Sequence, residues 1–123
     1  MLLGSFFTIA DKTTTDKKVV ATLDINAQHK IFEGHFPGQP VVPGVCMMQM
    51  IKEMVEAETN NKLQLRTADH LKFLAVINPV ENPSIIAELS YDNNEAGNIN
   101  VSGKLYKNEV TFLKFKGSFI VNV

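Results

Sequence analysis

Apolar and polar residues alternate along most of this chain, the signature of half-buried strands, and give way once to a run with helical spacing. Lys18–Ile25 reads Lys-Val-Val-Ala-Thr-Leu-Asp-Ile and predicts a strand. Residues 2–10 predict a strand before it, and the Thr-rich stretch 11–16 predicts the turn that joins the two as a hairpin. Residues 26–39 are irregular. A helix is expected from Pro43-Gly44 to about Thr59, ended by Asn60-Asn61. After it come strands at 63–74 (weakened at Ala68-Asp69), 84–91, 98–106 and 110–121. Their connections carry Asn78-Pro79, Asn82-Pro83, the polar stretch 92–97 and Lys107-Asn108-Glu109. Two strands, a helix and four strands predict an α+β fold, one curved antiparallel sheet wrapped on one long central helix. At 123 residues a single domain over 1–123 is expected.

The helix divides in two. Val45, Cys46, Met47, Met48, Met50 and Ile51 surround its axis, which predicts a buried first half. Lys52, Glu53, Glu56 and Glu58 give the second half a wet face. The sheet's edges invite pairing with a second copy, so a dimer is expected.

The segment just before the helix carries the candidate chemistry. His35-Phe36-Pro37-Gly38-Gln39-Pro40-Val41-Val42-Pro43-Gly44-Val45 sets three prolines and two glycines within residues 37–44. Such a turn is rigid. It presents backbone N–H groups at a helix start with an imidazole beside them, an arrangement suited to a polarised carbonyl.

Charge narrows the classes. Twelve Lys and Arg against thirteen Asp and Glu leave a net charge of −1 with no basic tail, which disfavours nucleic acid as a partner. A lone cysteine, Cys46, excludes an internal disulfide and suits a reducing, cytoplasmic setting. The apolar N-terminus has no basic flank and is broken by Gly4, Ser5 and Asp11, so a strand is expected there and not a signal peptide. No window reaches the ~18 apolar residues of a membrane span. His29 and His70 have no motif around them and no zinc-like spacing, so neither a metal nor any cofactor is expected.

Residues 35–45 resemble the active-site segment of the hotdog-fold beta-hydroxyacyl-acyl carrier protein dehydratases, whose pattern is H-F-P-G-x-P-x-x-P-G-V followed by a helix. Every fixed position is kept. Leu71-Lys72-Phe73-Leu74 before Asn78-Pro79 is similar to the family's strand after the helix. The resemblance implies that His35 takes the alpha proton of a 3-hydroxyacyl thioester while an amide of Gly44 or Val45 holds the carbonyl. Phe36 and Pro43 then belong to the substrate site. It also implies an acid from the neighbouring subunit, fourteen residues after the histidine; that position here is Gln49. An amide positions a hydroxyl or a water but supplies no proton. Glu53, one turn further on, is the nearest substitute acid, against its reading as a solvated carboxylate.

Each residue has a structural reading too. His35 can be a turn histidine, and Gln49 a buried amide tying helix to sheet. Cys46 sits where the helix dipole lowers a thiol pKa, against its reading as small core packing. Met47, Met48, Met50 and Met54, with Phe32, Phe36 and Phe73, suit an acyl tunnel or an ordinary core. Lys30, Lys52, Lys62, Arg66 and Lys72 would meet an acidic acyl carrier protein or simply solvate the surface. Three functions follow. The first is a dehydratase or hydratase on acyl carrier protein thioesters. The second is a non-catalytic acyl-binding subunit, pairing with a related hotdog chain. The third is a thioesterase, against which stands the lack of Asp or Glu in residues 41–52.

Overall fold

The architecture is taken from a computed structural model that describes residues 1–34, 38–93 and 97–122. Strands β1 (Phe7–Thr15) and β2 (Lys18–Ile25) form a hairpin. A short helix α1 (Ile31–Gly34) precedes the long helix α2 (Gly44–Thr59). Strands β3 (Leu63–Phe73), β4 (Ser84–Asn93), β5 (Asn98–Lys107) and β6 (Val110–Val121) follow. All six strands make one antiparallel sheet in the order β1-β2-β4-β5-β6-β3, which leaves β1 and β3 as its edges.

The hairpin differs from its expected bounds. Its turn is Asp16-Lys17, both with positive φ, a two-residue connection that matches the twist of paired strands. The polar residues Asp11–Thr15, expected as turn, therefore extend β1; an edge strand with a wet outer side needs few apolar side chains. Residues 2–6 are not strand. Phe6 turns into the core, where its ring stacks on Phe32 of α1 at 5.4 Å. Helix α1 replaces part of the irregular stretch, with His29 Nδ1 accepting the Ile31 N–H at its start. The weak point expected at Ala68-Asp69 is a register shift between Ala68 and His70.

Helix α2 also corrects the expectation. Its first turn is buried at Cys46 and Met47, as expected, but open on one side: Val45 is 79% exposed, and Met48 and Gln49 are half-buried. The deep part is the middle, where Met50, Ile51, Met54 and Val55 meet Val19, Leu23, Ile85 and Leu89 from the sheet in one apolar core. Each such side chain contributes about 1.5–3 kcal/mol on leaving water. Glu53, placed on the wet face by sequence, is only 2% exposed. The helix ends at Asn60, in the left-handed region, whose N–H bonds the Glu56 carbonyl.

Candidate active site

Pro43 caps α2 with extended backbone and no side-chain cap. Its carbonyl accepts the Cys46 and Met47 N–H groups. The amides of Gly44 and Val45 find no acceptor among the described residues, and the positive end of the helix dipole is centred there. The approach to this turn is held from the side, because the Val42 N–H donates to the Ile77 carbonyl beyond β3. Gly44 has a packing reason as well: a Cβ there would lie 3.0 Å from the Phe73 ring.

The helix start opens onto an apolar cleft of about 690 Å³. Pro43, Gly44, Val45 and Met47 line one side, and Phe73, Leu74 and Val76 the other. Phe73 is 51% exposed, and Leu74 and Val76 more so. The cleft size suits a small-molecule chain. So much uncovered apolar surface also fits a face that another chain covers. Leu65 and Leu71 of β3 extend the same uncovered side; both are exposed although they pair with the inward-facing Phe119 and Phe115.

His35 and Phe36 lie outside the described residues; Gly34, next to His35, ends α1, and α1 is anchored by buried Phe32. Gln49 does not line the cleft of its own chain. Its Nε2 donates to Glu53 Oε2 at 2.8 Å. Glu53 is also the anchor of the N-terminus: Leu2 N–H bonds both its oxygens at 3.0 and 2.8 Å, and Leu3 N–H bonds Oε1 at 2.7 Å. The solvated reading of Glu53 is thus overturned, and so is Glu53 as an uncommitted spare acid, since both oxygens already accept hydrogen bonds. Sequence reasoning missed this carboxylate's role because its partners are main-chain groups 50 and 51 residues away.

The other candidates separate cleanly. Met47 lines the cleft, whereas Met50 and Met54 are core. Burial pushes the Cys46 thiol above its ordinary value, opposite to the expected effect of the helix dipole, and the neutral thiol is a poor nucleophile. Lys72 lies on the outer side of the sheet, opposite Lys114. Among the described residues no group of His, Cys, Asp and Glu could hold a metal ion, and no helix is long and apolar enough to cross a membrane.

Comparison with known proteins places this geometry. Residues 11–112 match the ApeI-like family, described as ApeI dehydratase. The chain is similar to the 3-hydroxyacyl-[acyl-carrier-protein] dehydratase FabZ of Lactobacillus helveticus, 24% identical over 107 residues, 81% of this chain and 72% of that protein. It is similar to FabZ of Lactococcus lactis, 24% identical over 115 residues, 88% of this chain and 75% of that protein. With FabZ of Pediococcus pentosaceus it shares 35% identity over 48 residues, 39% of this chain and only 32% of that protein. Its fold is that of a chain from the dehydratase heterocomplex ApeI:P of Xenorhabdus doucetiae, with a TM-score of 0.63 at 19% identity over 91% of this chain and 96% of that one. A protein from Erwinia carotovora subsp. atroseptica gives a TM-score of 0.55 at 19% identity, covering 91% of this chain and 90% of that one. The fold is the hotdog fold, and the chain belongs to the ApeI-like family of hotdog dehydratases.

Proposed function

We propose that this protein dehydrates 3-hydroxyacyl thioesters carried on an acyl carrier protein, or hydrates the enoyl product in reverse. The observation that carries the reading is the uncapped start of α2, with the Gly44 and Val45 amides free of acceptors among the described residues, opening on an apolar cleft just after the His35 turn. In this reading His35 removes the alpha proton, and the carbonyl oxygen, which gains negative charge, accepts an N–H from Gly44 or Val45. The C–O bond at the beta carbon breaks, the electron pair of the former C–H bond forms the alkene, and the hydroxyl leaves as water. Pro43 belongs to the wall, and the acyl chain lies along Met47 and Phe73.

Gln49 takes the place of the acid. Its amide spends one N–H on Glu53 and keeps one N–H and a carbonyl to hold the leaving hydroxyl or a water. The proton for the hydroxyl then comes back from His35 or through that water. Gln49 lies off its own chain's cleft, which supports its service to a second subunit's cleft. That subunit is a second copy or a related hotdog chain, and the name of the Xenorhabdus heterocomplex makes the related chain a specific alternative. If the partner supplies the acid, this chain alone is an acyl-binding subunit.

Mass spectrometry of a 3-hydroxyacyl carrier protein incubated with the purified chain separates these readings. Loss of one water from the acyl group supports dehydration. Release of the free carrier thiol would assign a thioesterase. No change until a related hotdog chain is added would assign the partner-subunit role.

A further inference from the structure

Glu53 is a buried acidic side chain that the reaction assigned above does not use. It is 2% exposed and has no ion-pair partner among the described residues. Three N–H groups hold it instead. Leu2 N–H spans both oxygens, Leu3 N–H meets Oε1 at 2.7 Å, and the Gln49 amide meets Oε2 at 2.8 Å. The two leucine amides are themselves fixed. The Leu2 carbonyl accepts the Ser5 and Phe6 N–H groups, Gly4 turns the chain with a φ of 99°, and both leucine side chains pack against the core. A buried carboxylate with no cation beside it needs every donor it has.

That need gives the Gln49 amide a direction. A carboxylate only accepts hydrogen bonds, so the amide must face it with its NH2 end, and the carbonyl oxygen Oε1 turns away. Oε1 meets no donor among the described residues. No buried side-chain oxygen there lacks a partner, so Oε1 is open to solvent. Resting on Gln49 as the group that holds the substrate hydroxyl, we propose that Glu53 is a positioning residue that locks Oε1 outward as an acceptor. The site then selects a 3-hydroxyacyl chain, whose O–H donates to Oε1, over a 3-oxoacyl chain, whose carbonyl oxygen only accepts. Setting two acceptors against each other leaves both without a hydrogen bond, and this rejects the 3-oxo group. Without Glu53 the amide is free to flip, and its NH2 end would welcome that group.

The test is calorimetric titration of the full chain with 3-hydroxyacyl and 3-oxoacyl pantetheine amides of equal chain length, in which an amide replaces the thioester so that no water is lost. The natural chain should bind the 3-hydroxy amide about tenfold tighter than the 3-oxo amide. Glu53→Gln keeps one acceptor oxygen. With that oxygen on the Leu2 and Leu3 amides, its NH2 faces Gln49, which must turn its own carbonyl inward. The preference is then lost or reversed. Gln49→Ala also loses it, and adding Glu53→Gln to Gln49→Ala changes the preference no further. An equal drop in both affinities for Glu53→Gln, with the preference kept, marks a merely structural role and overturns the proposal. No preference in the natural chain, or one that survives in Gln49→Ala, overturns the reading of Gln49 and this inference with it. A second measurement needs no variant at position 53. In nuclear magnetic resonance spectra of the natural chain, one Gln49 side-chain amide proton, assigned by its absence in Gln49→Ala, should be shifted downfield and stay so when the 3-hydroxy amide binds. A Gln49 NH2 that leaves Glu53 for the ligand overturns the assigned direction.

Discussion

Gln49 and Glu53 stand one helical turn apart with 2.8 Å between their polar atoms, so a substitution at one is felt at the other. Replacing Gln49 by Glu sets a second carboxyl against a buried carboxylate. The neighbour's charge and the burial both raise the pKa of the new carboxyl, keeping it protonated to higher pH. It becomes an acid able to protonate the departing hydroxyl, and dehydration should rise by ~10²-fold or more. The gain should vanish as pH climbs through the raised pKa, which a pH series of initial rates reads directly. A rate for Gln49→Glu equal to that of the natural chain at every pH would remove position 49 from the reaction. Glu53→Ala has a different signature. It leaves the Leu2 and Leu3 amides without their acceptor and should cost about 1–3 kcal/mol in thermal unfolding. Cys46 adds a pH effect of known sign. Its folded pKa is raised, so the folded state holds the thiol proton more tightly than the unfolded state does. That contribution is complete below the ordinary value of 9.0 and is lost as pH rises through the folded value. Thermal midpoints should therefore fall more steeply for the natural chain than for Cys46→Ala as pH rises from 9.0 to the raised folded value.

At the scale of elements, the start of α2 and the exit of β3 form one unit. Phe73 packs on Gly44, and the Leu74 N–H is tied to the Phe112 carbonyl of β6. Gly44→Ala should force the Phe73 ring or the helix start to move, costing about 1–3 kcal/mol and lowering turnover. Calorimetry and an activity assay on the same sample check both. Much of this unit was legible in the chain. The Pro/Gly turn marked the helix start, the alternation in Lys18–Ile25 marked β2, and the Ala68-Asp69 break marked a real register shift. What alternation could not show was the depth of α2, because burial there depends on which neighbours cover it. Val45 looked like core and is open, while Glu53 looked wet and is sealed under the N-terminus. The polar part of β1 was unreadable for the same reason: an edge strand is held by backbone pairing, which leaves no pattern in side chains.

At the scale of the whole molecule, the uncovered apolar side of Leu65, Leu71, Phe73, Leu74 and Val76 is the face on which the proposed second hotdog chain would sit. On that proposed pairing, Leu71→Asp should shift the protein from dimer to monomer in analytical ultracentrifugation and remove turnover with it, because each cleft then loses the Gln49 proposed to serve it from the other subunit. A monomeric natural chain with full activity would contradict that dependence. The central claim, His35-based dehydration beside the α2 amides, is tested most directly by the absorbance of the conjugated enoyl thioester formed from a 3-hydroxyacyl carrier protein, comparing the natural chain with His35→Ala. The account predicts a signal from the natural chain and a rate ~10²- to 10⁴-fold lower for His35→Ala. Equal rates from the two folded, dimeric proteins would contradict it.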